Sequence, residues 1–96
     1  MKSVPFKATD HLKTRKDIAA YLNAALEDGE PTVLLEALRN VAQSKGGIGA
    51  LAKSAGVSRE SLYRTLSRRG NPKINTLMSL LRAMGLKLSI EKREAA

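Results

Sequence analysis

Between Ser58 and Arg64 the chain reads SRESLYR, directly after a glycine and a valine. These residue types at this spacing suit recognition of bases and phosphates rather than bond making. An arginine fork can donate two hydrogen bonds to O6 and N7 of guanine. Arg64 fits that role, and Arg59 fits either it or a phosphate clamp. Glu60 is the only acid between Lys45 and Lys73, a stretch holding seven basic residues. A carboxylate near phosphates costs electrostatic energy, so its presence points to a selective task. It could accept from cytosine N4, or hold Arg64 through an i,i+4 pair. Tyr63 could meet a phosphate, or a thymine methyl through its ring edge. The hydroxyls of Ser58 and Ser61 can bond phosphate. Ser67, Arg68, Arg69 and Lys73 come next as contacts to the nucleic-acid backbone, with Lys45 and Lys53 flanking. The plainer reading of the same residues is the solvated face of a helical hairpin.

Other chemistry has little to work with. Cysteine is absent and His11 is the only histidine, so neither a thiolate metal site nor a histidine-based nucleophile system is expected. The aspartates and glutamates form no spaced cluster for acid–base or metal work. No enzyme activity, metal or cofactor is therefore expected. No apolar run approaches the ~18 residues of a membrane span, and the N-terminal MKSVPFKATDHL does not read as a signal peptide. His11 is expected at the surface of a loose N-terminus, and EKREAA at the other end as a frayed tail. The expected location is the cytoplasm. The net charge of +8 is unevenly placed. Residues 1–40 carry six basic and six acidic side chains, whereas residues 41–96 carry eleven basic and three acidic. Charge confined to one half favours a polyanion partner over a general solubility effect.

The elements that must position the 58–64 stretch are short helices in a single domain, 1–96. Thr14 and Asp17 form a capping box. Ile18, Tyr21, Leu22, Ala25 and Leu26 repeat at helical spacing until Gly29, a left-handed cap. Pro31 opens a second helix with Leu34, Leu35, Leu38, Val41 and Ala42 on its apolar stripe. Ser44-Lys-Gly-Gly47 interrupts it. A third helix is predicted from about Ile48 to Ser54, with Ala52 small enough to admit a neighbouring helix. Gly49 is unfavourable there unless it serves tight backbone packing or a helix start. A fifth runs from about Asn75, a candidate N-cap, to Met84. Leu86, Leu88 and Ile90 then alternate with Lys87 and Ser89, which predicts a short strand over 86–90. A strand needs a ladder partner: either Val4-Pro5-Phe6, or the same strand of a second subunit in a two-fold dimer.

The third and fourth helices form a pair over 48–68. Gly56 allows the chain to reverse at positive φ, Val57 plugs the corner and Ser58 caps the next helix. Leu62 and Leu66 point inward, which turns Glu60, Tyr63, Arg64 and Ser67 outward, with Arg59 and Arg68 flanking that face. That is the size and pattern of a DNA-binding helix-turn-helix, in which the second helix enters the major groove. The turn, the inward leucines and the charge asymmetry together favour it over the solvated hairpin. The fold class expected is all-α: a small bundle of about five helices, a central helix-turn-helix and a short C-terminal β-strand.

The chain also resembles the helix-turn-helix antidote proteins of addiction modules, within the Xre/Cro-like (lambda-repressor-like) superfamily. The resemblance spans about residues 10–90. It lies in Asp17-Ile-Ala-Ala-Tyr-Leu22, Leu34-Leu-Glu-Ala-Leu38, Ala52-Lys-Ser-Ala-Gly-Val-Ser-Arg-Glu-Ser-Leu-Tyr-Arg64, Gly70-Asn-Pro72 and Ala83-Met-Gly-Leu-Lys-Leu-Ser-Ile90. It implies about five helices, sequence-specific binding to operator DNA, and direct neutralisation of a RelE/ParE-like toxin, usually with repression of the protein's own operon. By position, Ser58, Arg59, Glu60, Tyr63 and Arg64 fall on the recognition helix, Leu62 on an apolar slot, Gly56 on the turn, and Leu86, Leu88 and Ile90 on a dimerisation strand. Two departures stand out. Gly46, Gly47 and Gly49 make the bracing helix start glycine-rich. No long tail extends past Ala96, so a folded surface is expected to meet the toxin. Asp10, Asp17, Glu27, Asp28, Glu30 and Glu36 of the neutral half could complement a basic partner, with Glu27, Asp28 and Glu30 the central candidates. The alternatives are a Cro-like regulator without a toxin, and an interaction protein whose basic face only keeps it in solution.

Overall fold

A reciprocal cap fixes the first helix, α1 (Arg15–Asp28). The Asp17 amide donates to the Thr14 hydroxyl at 3.0 Å, while the Asp17 carboxylate accepts from the Thr14 amide at 3.1 Å. Gly29 closes it at φ 86°. The structure, a computed structural model, describes residues 12–94. Among these are four more helices: α2 (Pro31–Ser44), α3 (Ile48–Ala55), α4 (Arg59–Thr65) and α5 (Ile74–Ala83). The candidate partner strand Val4-Pro5-Phe6, the acid Asp10, His11 and the final two residues of the tail lie outside the described residues.

α3 is the hub of the bundle, touching α2, α4 and α5, while α1 packs on α2. Ala52, on α3, is 2% exposed, so a small side chain does sit where helices approach. Ile18, Leu38, Val41, Leu62, Leu66 and Leu80 are the largest fully buried side chains, and no polar side chain is buried among the described residues. Each such apolar side chain contributes about 1.5–3 kcal/mol by leaving water. Leu62 of α4 and Leu66, its C-cap, anchor that helix to the core and leave its other face outside. Tyr21 is half-buried, and its hydroxyl accepts from the Asn40 amide at 2.7 Å, tying α1 to α2.

Four expectations need correction. Residues 86–90 form no strand, and no strand occurs among the described residues. The Leu86 amide is used instead to close α5, donating to the Leu81 carbonyl at 2.8 Å beside a Gly85 amide bond to Arg82. This six-residue closure is how a left-handed glycine ends a helix, and residues 87–90 have no ladder partner within the described chain. α4 ends at Thr65 rather than near residue 68. The Ser67 hydroxyl and amide both donate to the Arg64 carbonyl, a local bond that competes with helix continuation. The Arg39 guanidinium, from α2, donates to the Leu66 carbonyl and fixes that early end. α5 starts at Ile74 with Lys73 at its N-cap, so Asn75 lies inside the first turn and caps nothing. Leu26 is 50% exposed rather than inward, because it faces a groove along which residues 86–89 run.

Candidate nucleic-acid interface

The corner between α3 and α4 is built as its residues dictate. Gly56 takes φ 75°, its amide donates to Lys53, and the Val57 amide reaches back to Ala52 at 3.0 Å. Val57 packs on the core beneath the turn. The Ser58 hydroxyl accepts from the Ser61 amide at 3.0 Å and starts α4. With Leu62 and Leu66 pinned inward, Ser58, Arg59, Glu60, Tyr63 and Arg64 are exposed on one side of a helix under two turns long. Arg68, Arg69 and Lys73 are exposed on the loop after it, and Ser61 and Ser67 are half-buried. Apart from the flanking Lys45, at the end of α2, and Lys53, on α3, both exposed, the sequence-predicted contact residues belong to one continuous segment. Ser58, Arg59, Glu60, Ser61, Tyr63 and Arg64 come from α4 and its N-cap, and Ser67, Arg68, Arg69 and Lys73 from its exit.

Within this face one contact is already made. The Arg59 guanidinium carbon lies 5.6 Å from the centroid of the Tyr63 ring, one helical turn on. A cation over an aromatic face at an exposed site contributes about 0.5–1 kcal/mol. Gly49 of α3 borders the same arginine: a Cβ there would stand 3.5 Å from Arg59 Cδ and 3.7 Å from Nε, with no backbone in reach. Gly49 thus borders the Arg59 side chain, near the start of α3, instead of serving tight backbone packing. Glu60 forms no ion pair with Arg64; both point freely outward. Of the two tasks the sequence leaves to Glu60, holding Arg64 is not realised, and the carboxylate is open to an external donor. Ser67 has less to offer: its hydroxyl proton goes to the Arg64 carbonyl oxygen at 2.8 Å, which leaves no side-chain donor for a phosphate.

Gly70 shapes the exit. A Cβ on it would fall 1.8 Å from the Thr65 carbonyl oxygen, so the loop carrying Arg68, Arg69 and Lys73 folds tightly over the end of α4. Sequence reasoning missed Arg39 and the closeness of Gly49 to Arg59, both of which depend on contacts with other helices. It also missed that Arg15, Lys45 and Arg82, from α1, the α2–α3 turn and α5, rim one groove floored by Val41, Ala42, Leu51 and Met84. No acid lines that groove. Glu27, Asp28 and Glu30 are exposed together at the α1–α2 corner, and the Asp28 carboxylate accepts from the Glu30 amide at 3.3 Å. Asp17 is committed to the α1 cap. No group of acids or histidine that could hold a metal occurs among the described residues, and no described helix is long and apolar enough to cross a membrane.

Known proteins offer two likenesses to this chain. A family model described as a probable addiction module antidote protein matches residues 2–92. An uncharacterized protein of Haemophilus influenzae (strain Rd) is 33% identical over 91 residues, covering 95% of this chain and 93% of the relative. No solved structure matches the chain.

Proposed function

This chain belongs to the family of probable addiction module antidote proteins, and from that premise we propose that it is a DNA-binding antitoxin of the Cro-like helix-turn-helix type. It neutralises a RelE/ParE-like toxin by direct binding and represses its own operon. It acts as a homodimer in the cytoplasm, without catalytic activity or a cofactor. The family implies the toxin partner; the observation that supports the DNA partner is the α3–α4 corner. There, two buried leucines turn Arg59, Glu60, Tyr63 and Arg64 outward together, within the most basic part of the chain.

In this reading α4 enters the major groove, Arg64 and Arg59 address guanine, and Glu60 meets a cytosine amine. Arg68, Arg69 and Lys73 set the register on phosphates. The exposed acids Glu27 and Asp28, at the end of α1, and Glu30, the N-cap of α2, stand outside α4 and are assigned to the toxin.

The test has two arms. The protein is titrated with the duplex upstream of its gene and with random duplex at several salt concentrations. It is also co-expressed with the product of the neighbouring gene, with growth and complex mass as readouts. Tight, steeply salt-dependent binding to the upstream duplex, with growth rescue by a stoichiometric complex, is expected. DNA binding without rescue or complex would make the protein a plain regulator, and equal binding to both duplexes would refute the operator reading.

A further inference from the structure

The groove rimmed by Arg15, Lys45 and Arg82 has no part in the proposed function. Its floor of Val41, Ala42, Leu51 and Met84 is already buried, 5% exposed at most. An occupant therefore gains little by covering apolar surface. The three cations, in contrast, are all exposed. None of them has an acidic partner among the described residues, and no acid lines the groove. Arg15 is placed there by packing as well. Its side chain lies across Gly85, where a Cβ would stand 2.7 Å from Cδ and 3.0 Å from Nε. Like charges gathered from three elements repel one another, and an anion seated among them relieves that repulsion.

The space holds about 480 Å³, many times the roughly 30 Å³ share of one water molecule, so a lone small anion leaves most of it unfilled. An extended, multiply acidic occupant fits better. The chain itself offers none. Residues 1–11 hold Lys2 and Lys7 against one acid, Asp10, and Glu91-Lys-Arg-Glu94 is neutral. A duplex on α4 does not fit either, because no residue of α4 or its exit loop lines the groove. Gly49 borders Arg59, whereas Ala50 and Ser54, which wall the groove, stand about 100–140° around α3 from Gly49. Lys45, expected from sequence to flank the duplex, belongs to this rim. We propose that the groove docks an acidic peptide segment of a partner protein, its carboxylates meeting Arg15, Lys45 and Arg82. The charge is opposite to that of the corner assigned to the toxin, so the partner is a different one. Because the groove is turned from α4, the peptide and a duplex can be held together. The inference goes beyond the proposed function and does not depend on it.

The full chain is titrated by anisotropy with a labelled peptide of Glu and Ala, and with its counterpart of Lys and Ala, at several salt concentrations. Binding of the Glu peptide alone, weakened by salt, is expected. Arg15→Glu and Arg82→Glu should each lower its affinity roughly fivefold. Arg64→Glu and Arg69→Glu, on the α4 face, should change it little. Melting curves check the fold of each variant, and Lys45→Glu repeats the test at a turn residue should Arg15→Glu disturb the packing on Gly85. Absence of Glu-peptide binding overturns the proposal. So does displacement of the peptide by duplex, or a loss that follows Arg64 and Arg69, since either puts the peptide on the α4 face. Mass that grows with protein concentration and falls with Arg82→Glu would make the acidic corner of a second copy the occupant, which overturns it too. Failure of operator binding with peptide binding intact refutes the DNA reading and leaves this one standing.

Discussion

Arg59 and Tyr63 are best treated as one unit. The guanidinium rests over the ring and beside Gly49, so in the proposed DNA-binding role part of the ordering needed to present Arg59 is complete before binding. Their effects on operator affinity should therefore not add. Arg59→Ala and Tyr63→Leu, combined in a double-mutant cycle, should show a coupling of about 0.5–1 kcal/mol, and Tyr63→Phe should retain most of it. Additive losses would mean that the two residues contact DNA independently. Arg64 has no such partner. Arg64→Ala should lose about 1–3 kcal/mol and relax specificity at one base position. Arg69→Ala, on the exit loop, should weaken operator and random duplex alike; equal behaviour of the two variants would show that the reading face is wrongly assigned.

The glycines show how differently one residue type acts within these elements. Gly70→Ala drives a methyl into the Thr65 carbonyl, 1.8 Å away, and should destabilise by about 1–3 kcal/mol. Gly49→Ala meets only an arginine side chain at ordinary distance and should be neutral or stabilising by up to about 1 kcal/mol. Thermal unfolding of both variants checks the contrast, and similar melting temperatures would refute it. The same distinction explains what could be read from sequence. The Thr14–Asp17 box, Gly29, Gly56 and Ser58 act through neighbours a few residues away, so the helix ends they set were legible. So was the outward face of α4, because Leu62 and Leu66 fix its rotation. The early end of α4 was not, since it involves Arg39, distant in sequence. The C-terminal alternation was legible as a pattern, but a strand is a relation between two segments and the described chain supplies only one. Leu26 obeyed the helical period and still emerged exposed, because periodicity gives a face and not what lies against it.

At the scale of the molecule, the proposed function divides charge between two tasks. The neutral N-terminal half and the +8 C-terminal half were visible in the sequence; the fold adds that Glu27, Asp28 and Glu30 gather at one exposed corner, beside half-exposed Leu26. An acidic corner with an apolar neighbour suits a basic protein surface, where complementarity sets both approach and register. It would be repelled by DNA. Charge reversal across Glu27, Asp28 and Glu30 should therefore weaken toxin binding by about tenfold or more and leave operator affinity unchanged or slightly improved. Asp28 also receives the Glu30 amide, so its loss could disturb the α1–α2 turn. Glu27→Lys with Glu30→Lys, keeping Asp28, separates charge from turn geometry: it should retain the melting temperature and still lose toxin affinity. The measurement is calorimetric titration of each variant with purified toxin, beside anisotropy on the operator duplex. Unchanged toxin affinity in both variants would move the toxin surface elsewhere. A parallel loss of toxin and operator binding would mean that the two surfaces overlap, so that the toxin and the DNA compete for one face.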